Sequence, residues 1–314
     1  MKIDVVLATY NRAQLLGRAI ESFALNTQHE AARLLVVDNN SSDGTRAVVE
    51  AARSTYSGVA IEYLFEPQQG KAHALNLGIS HSEADVLGFF DDDETLAPDW
   101  LAVLAQAFQD PSLEFVGGPV RPDWSAPAPG WMPGPSYNGV LSLVDNGPDR
   151  RRYGDPAFKA MLIGANAAIR RSTLLRVGPY TTRFEWAEDR EMYARLLAAG
   201  AVGYYLPDLV VSHHIPHKRL EKRYFRQWAY FEGRTMGSPL HALEQPDVKV
   251  RSALGAPLWM WRHLLHVAGL SAWGYLRGRD SPVTFAAELE VRQFIGFYLE
   301  RNAPFIRHRH FDRT

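Results

Sequence analysis

Cysteine is absent from the 314-residue sequence. That excludes disulfides, thiolate nucleophiles and cysteine-ligated zinc, and it fits a reducing compartment, so a cytoplasmic protein is expected. A dominant charge is missing as well. The formal net charge is −1, so no global field draws the chain to nucleic acid. Long hydrophobic runs are also lacking. The most apolar late stretch, residues 264–276, is too short to span a bilayer and is interrupted by His266. The opening MKIDVVLATYNR has neither the apolar run nor the cleavage site of a signal peptide. No internal repeat is present. A soluble protein is expected, attached at most to the cytoplasmic face of a membrane. What the sequence does have is 46% hydrophobic residues, enough to bury a full core in one large domain or two small ones.

Over the first 120 residues short apolar runs alternate with helical patterns. Strands are expected at Val5, Val6 and Leu7, at residues 34–37, at 61–65 and at 86–90. Helices are expected through Leu15, Leu16, Ala19, Ile20 and Phe23, after Thr45, and through Ala72, Leu75 and Ile79. Continuous apolar strands separated by helices imply a mostly parallel, Rossmann-like α/β sheet covered on both faces. Ligands of such sheets sit beyond the carboxyl ends of the strands. Those ends carry Thr9, Tyr10, Asn11 and Arg12, then Asp38, Asn39 and Asn40, then Asp91, Asp92 and Asp93. Polar groups therefore converge on one edge.

From 119 to 135 the chain reads PVRPDWSAPAPGWMPGP. Its prolines predict a long loop, and long loops are commonly functional. Trp131 and Trp124 suit stacking on sugar rings. A strand is expected at 165–169, a helix at 187–199 ended by Gly200, and a strand at 204–206. His213 and His214 are expected beyond that strand, and the pattern past His217 is helical and amphipathic.

Three adjacent carboxylates after a buried strand repel one another, and a divalent cation is their natural neutraliser. Oxygen ligands suit Mg²⁺ or Mn²⁺, either of which can bridge to a diphosphate. The alternative for Asp91, Asp92 and Asp93 is a solvated turn capping the helix after Pro98. Around Asp38, Ser42 or Asp43 serves as a helix cap, whereas Asp38 sits right at the strand end, where it can bond a base or ribose edge.

The motifs VVLATYNR, VVDNNSSDGT, GKAHALNLGI, FFDDDETLAPDWL, GANAAIRRSTLLRVGPY and WAEDREMYARLLAAG occur in one order between residue 3 and about residue 235. In that order the chain resembles a family 2 glycosyltransferase of the GT-A fold. The resemblance implies a nucleotide-diphosphate-sugar donor, a divalent metal and inversion at the anomeric carbon. It implies that Ala8 and Tyr10 hold the base, that Arg12 and Asp38 lie with the nucleotide-sugar, and that Lys71 is a basic group near base or phosphates. Asn39 stands where members often carry a second aspartate, which loosens the preference for a UDP-sugar over a GDP- or dTDP-sugar. Asp91 and Asp93 match the outer carboxylates of the metal motif, with Asp92 between them on the donor side. His213, with His214 close behind, falls at a metal or diphosphate ligand position. Asp189 matches the catalytic base, because the acceptor hydroxyl must lose its proton as it attacks. Glu188 and Trp186 beside it, with Trp131, are the acceptor-binding candidates.

These readings predict a catalytic domain over 1–235, its nucleotide-sugar half at 1–118 and acceptor half at 119–235, and a helical extension over 236–314. The acceptor is a glycan or a lipid-linked glycan. A sugar nucleotidylyltransferase is a second class, although the N-terminal loop lacks the glycine-rich basic character that attack on a triphosphate needs. A silent nucleotide-sugar or glycan-binding module is a third. In the extension, Trp259, Trp261, Trp273 and Tyr275 lie among Arg262, His263, His266, Arg277 and Arg279, with RHRH at 307–310. That composition fits contact with an anionic membrane surface. It also fits packing on the catalytic domain or a homodimer contact.

Overall fold

In the computed structural model, which describes residues 1–182, 188–237 and 251–302, the chain begins with β1 (Ile3–Thr9). It pairs in parallel with β2 (Ala32–Asp38) and β4 (Val86–Phe90), and β2 with β3 (Ala60–Phe65). Helices α1 (Ala13–Ala24), α2 (Thr45–Thr55) and α3 (Lys71–His81) make the connections. Side chains alternate across this sheet as strand geometry requires. Val5 and Leu7 pack with Leu16, Ile20 and Phe23 of α1 and with Trp100 and Leu104 of α4 (Trp100–Ala107). Val6 packs on the other face with Leu35, Ala72 and Leu75. In α1, Leu16, Ala19, Ile20 and Phe23 are all buried, the apolar stripe that holds an amphipathic helix to a sheet. Asp43 does the capping: its carboxylate accepts from the Thr45 amide at 3.0 Å and from the Ala13 amide at 3.0 Å, so one side chain serves the starts of α1 and α2.

The sheet continues past β4 through β9 (Asn166–Arg170), β6 (Phe115–Gly117), β10 (Gly203–Tyr205) and β8 (Arg151–Arg152), eight strands in the order β3-β2-β1-β4-β9-β6-β10-β8. β9 runs antiparallel to both its neighbours. Helices α5 (Arg171–Val177) and α6 (Glu188–Ala198) lie in this second half. A three-stranded sheet adds β5 (Glu94–Leu96), β11 (Val211–Ile215) and β7 (Val120–Trp124), with β11 central. Two expectations change here. Residues 120–124 form a strand rather than loop, because β7 is an edge strand and Pro122 there removes no needed donor. His213 and His214 lie within β11 itself, with His213 opposite Glu94. Asn166 ties the layers together: fully buried, it accepts from Trp100 Nε1 at 2.9 Å and donates to the carbonyls of Pro119 and Leu209.

The structure divides into two units, Met1–Asp123 with Ser142–His214, and Trp124–Leu141 with Ile215–Thr314. The 1–235 span read from the sequence covers the first unit, the 124–141 segment and one helix of the second. In the second unit α7 (Lys222–Gly237) crosses α9 (Pro282–Asn302), and α8 (Leu258–Leu276) packs against α9. The crossing needs glycine on both helices: a Cβ on Gly233 would lie 1.9 Å from the Gln293 carbonyl oxygen, and one on Gly296 2.0 Å from that of Tyr230. Trp131, from the 124–141 segment, meets the rings of Phe225 and Phe285 edge-on at centroid distances of 5.3 and 5.1 Å.

Glu288 of α9 accepts from Arg226 at 2.7 and 3.0 Å, from Tyr275 Oη at 2.7 Å and from Arg292 at 2.8 Å. Burial alone would raise its pKa; these donors outweigh it and hold the carboxyl at about 2, below the ordinary 4.5. The depressed value means the stabilisation is complete above about pH 4.5 and is lost as pH falls towards 2. Allowing for solvent, it is worth about 2 kcal/mol. Thermal unfolding between pH 6 and 3 is expected to show that loss, and Glu288→Gln, already missing it at pH 6, to show a flatter profile. Parallel profiles would remove the assignment.

Candidate active site

The ends of β1 and β2 are stitched into one rim. Asn11 (φ +52°) accepts from the Ser42 amide at 2.8 Å, and its own amide donates to Ser41 Oγ at 2.9 Å. Asp38 is buried, accepting from the Ser41 amide at 2.9 Å and from Tyr63 Oη at 2.8 Å. Burial, and then the Asp38 carboxylate, push the Tyr63 hydroxyl up to about 12, so it remains a donor. Asn39 is committed to the chain opposite: its amide donates to the Gln68 carbonyl at 2.7 Å and its oxygen accepts from the Gly70 amide at 2.8 Å. An aspartate there could not donate to Gln68, which gives the amide a local structural reason. Tyr10 is 43% exposed at this rim and Ala8 is half-buried beside it, leaving an aromatic face open for stacking.

Beyond β4 the acidic run is buried and paired. Asp92 accepts from Thr9 Oγ1 at 2.7 Å and from Arg12 Nη1 at 2.8 Å. The same Arg12 nitrogen reaches Asp93 at 3.0 Å. Burial pushes Asp92 up to about 6 even with the Arg12 charge beside it. Burial would lower the Arg12 pKa, but Asp92 and Asp93 outweigh it and the guanidinium stays charged. Asp93 also faces His213 Nε2 at 3.4 Å, and both side chains are buried. Glu94 accepts the Asp91 amide at 2.8 Å. Its own burial, followed by the charges of Asp91 and Asp93, raises its pKa well above the usual range. Asp91 turns the other way, to Lys71 Nζ at 2.5 Å.

Lys71 contacts the acidic run and feels the carboxylates at the start of α6. Burial would lower its pKa, but Asp91, then Asp189 and Glu188, raise it. The side chain is 36% exposed, so water screens part of that attraction; the ammonium is charged at neutral pH. Asp189, in the first turn of α6, lies against Gly164: a Cβ at Gly164 would sit 2.4 Å from Asp189 Oδ1. The absent side chain of Gly164 is therefore the space in which the carboxylate rests. Tyr180 is buried in the same neighbourhood, its main chain clamped to Asn76 by two 2.8 Å hydrogen bonds.

The structure thus brings together Arg12, Lys71, Asp91, Asp92, Asp93, His213, Glu188 and Asp189, with Ala8, Tyr10, Asp38 and Asn39 along the adjoining rim. Trp186 lies outside the described residues. Trp131 belongs to the second unit, where its contacts with Phe225 and Phe285 and Lys222 above it at 5.6 Å give it a packing role. Thr9, named from the sequence only among the polar strand ends, gains a bond to Asp92, and Gly164 is an addition that sequence reasoning did not single out. Thr9 was legible in principle, as a hydroxyl at the strand end next to the acidic run. Gly164 was not, because its partner is 25 residues away. Among the described residues no three acidic or imidazole groups are preassembled for a metal ion.

Residues 4–177 match the family model described as glycosyl transferase family 2. The chain belongs to that family. This glycosyltransferase is 29% identical over 257 residues to the succinoglycan biosynthesis protein ExoM of Rhizobium meliloti strain 1021, covering 78% of each chain. It is 29% identical over 198 residues to the glucosyl-dolichyl phosphate glucuronosyltransferase of Haloferax volcanii, covering 62% of this chain and 60% of that one. Among solved structures, the mannosyltransferase PcManGT of Pyrobaculum calidifontis, in complex with GDP-Man and Mn²⁺, superposes with a TM-score of 0.67 at 20% identity over 97% of this chain and 88% of that one. The fold is GT-A, and the glycosyltransferase transfers sugar from a nucleotide-sugar donor.

Proposed function

We propose that the glycosyltransferase moves a sugar, with inversion, from a nucleotide-diphosphate sugar to an acceptor hydroxyl in the assembly of a polysaccharide or glycolipid in the cytoplasm. The observation that carries this reading is the place of Lys71, in contact with the acidic run and within electrostatic reach of α6. Lys71 donates to Asp91 and is also held charged by the nearby Asp189 and Glu188 carboxylates, which supports a base close to a diphosphate-binding pole. Tyr10 stacks on the base, Asp38 and Asn39 shape the rim that receives it, and Arg12 and Lys71 offset diphosphate charge. Glu188 contacts the acceptor, and Asp189 removes the proton from its attacking hydroxyl. Against a part for Trp131 in acceptor binding stands its packing on Phe225 and Phe285.

The donor set suits a divalent cation. Asp93 faces His213 Nε2 at 3.4 Å, and Asp91, two residues earlier, would have to turn from Lys71 to join them; hard oxygen with imidazole nitrogen fits Mn²⁺ or Mg²⁺. Bound there, such an ion would neutralise the departing diphosphate. Arg12 holds one oxygen of Asp93, and its contact with Asp92 would keep the guanidinium in the site if an ion took that oxygen.

Product release with UDP-, GDP- and dTDP-sugars, each with Mn²⁺ and with EDTA, tests the reading. One donor is expected to turn over, and only with metal; UDP-sugar is the first choice. Asp93→Ala is expected to abolish the metal-dependent thermal stabilisation by nucleoside diphosphate while the apo protein melts cooperatively. Undiminished nucleotide binding in EDTA would remove the metal from the proposal.

A further inference from the structure

Helix α8 divides sharply between a packed face and a bare one. Val267, Ser271 and Gly274 are buried, and Met260, Trp261 and Leu264 pack against Ala256, Phe294 and Phe297. Trp261 Nε1 donates to the Ala253 carbonyl at 2.9 Å, so this tryptophan is a structural one. On the other side Trp259 is 58% exposed, Leu265 75%, Trp273 58% and Leu276 82%. Arg262 and His266 are exposed between them, and the spacing of 259, 262, 266, 270 and 273 sets these positions along one side of the helix, with Leu265 and Leu276 along its flank. Single exposed apolar residues are ordinary; a whole helix face of them is not.

The charge on this face has one sign. From position 251 to position 279 the sequence contains no aspartate or glutamate, while Arg262, Arg277 and Arg279 punctuate it. Arg277 lies over the Trp273 ring at 4.2 Å. His263 is the exception in direction, turned to Glu290 of α9. A second copy of the same face would set arginine against arginine, so self-association is disfavoured by charge. No described helix is long and apolar enough to cross a bilayer, which leaves a helix lying in the interface. There, tryptophan and leucine enter the acyl boundary while arginine stays at the headgroups.

We propose that the exposed face of α8 docks on an anionic lipid surface, with Trp259, Leu265, Trp273 and Leu276 as its apolar insertion and Arg262 and Arg277 as its electrostatic contacts. The surface does not depend on which sugar is transferred, nor on Asp189 being the base.

The full chain is sedimented with vesicles of phosphatidylglycerol and phosphatidylcholine, and with vesicles of phosphatidylcholine alone. Partitioning to the anionic vesicles is expected to exceed that to neutral ones by about tenfold and to weaken steadily with added salt. Combining Trp259→Ser with Trp273→Ser is expected to cut binding by about tenfold or more, with melting temperature and donor turnover unchanged because both rings are exposed. Arg262→Glu is expected to erase the preference for phosphatidylglycerol while keeping the fold. Failure to sediment with anionic vesicles overturns the proposal, as does undiminished binding by the double tryptophan variant. A dimer in vesicle-free solution that the tryptophan substitutions dissociate would also overturn it, by giving the face to a second copy.

Discussion

Asp189→Asn is expected to lower turnover by about a hundredfold or more while donor affinity stays within a few-fold. Asparagine keeps the volume and the helical position but cannot take a proton, so the attacking hydroxyl keeps its hydrogen. The donor side is buffered from the change, since Asp91 remains hydrogen-bonded to Lys71 at 2.5 Å. Steady-state kinetics with the preferred donor and acceptor, beside titration of donor alone, separates the two quantities. A variant with normal turnover would move the base elsewhere, and Glu188, one position earlier in the same turn, would be the next substitution. A variant that loses donor binding as strongly as turnover would mean that the carboxylate orients Lys71 and does not act on the acceptor.

Gly164→Ala is expected to produce nearly as large a loss without touching any reacting group. The new methyl would lie 2.4 Å from Asp189 Oδ1 and 3.0 Å from its Cγ, closer than real carbon and oxygen atoms approach. The obstructed atoms are the end of a short side chain that can rotate, so the fold survives and the carboxylate moves. Displacing a catalytic group by about 1 Å costs up to about a hundredfold. Turnover is therefore expected to fall sharply, with donor KM and melting temperature close to wild type. Combining Gly164→Ala with Asp189→Asn supplies the discriminating result: losses that do not add place the two residues in one unit, and losses that add separate them. Unchanged turnover in Gly164→Ala would show that the carboxylate has room to spare.

The first half of the fold was legible because it follows local rules. Val5, Val6 and Leu7, and Val86 to Phe90, are apolar throughout because both faces of a parallel sheet are covered, and the polar residues after them line one edge of it. Asp43 could be read as a cap from its place before a helix. The part that was not legible depends on partners distant in sequence. Pro122 argued for loop, yet an edge strand accepts it, and edge position is a property of the assembled sheet. His213 reads as a residue after a strand until β5 is known to pair with its segment. Arg12, read from the sequence as a contact to the nucleotide-sugar, also balances the charge of Asp92 and Asp93. Gly164 is one glycine among 24 in the sequence until α6 is laid against it. For Trp131 the composition suggested a sugar platform, and only the 124–141 segment's place among the C-terminal helices gave the ring its partners.

That same placement fixes an order of events when the chain is made. Trp131 leaves the ribosome well before Phe225 and Phe285, the two rings it settles between. At ordinary elongation rates the wait for Phe285 is roughly ten to thirty seconds. The sequence that completes the first unit ends at His214, so that unit can close while its 124–141 excursion still hangs open with a bare indole. The second core can form only once Phe285 has emerged, and until then the indole of Trp131 lacks the two rings it packs on.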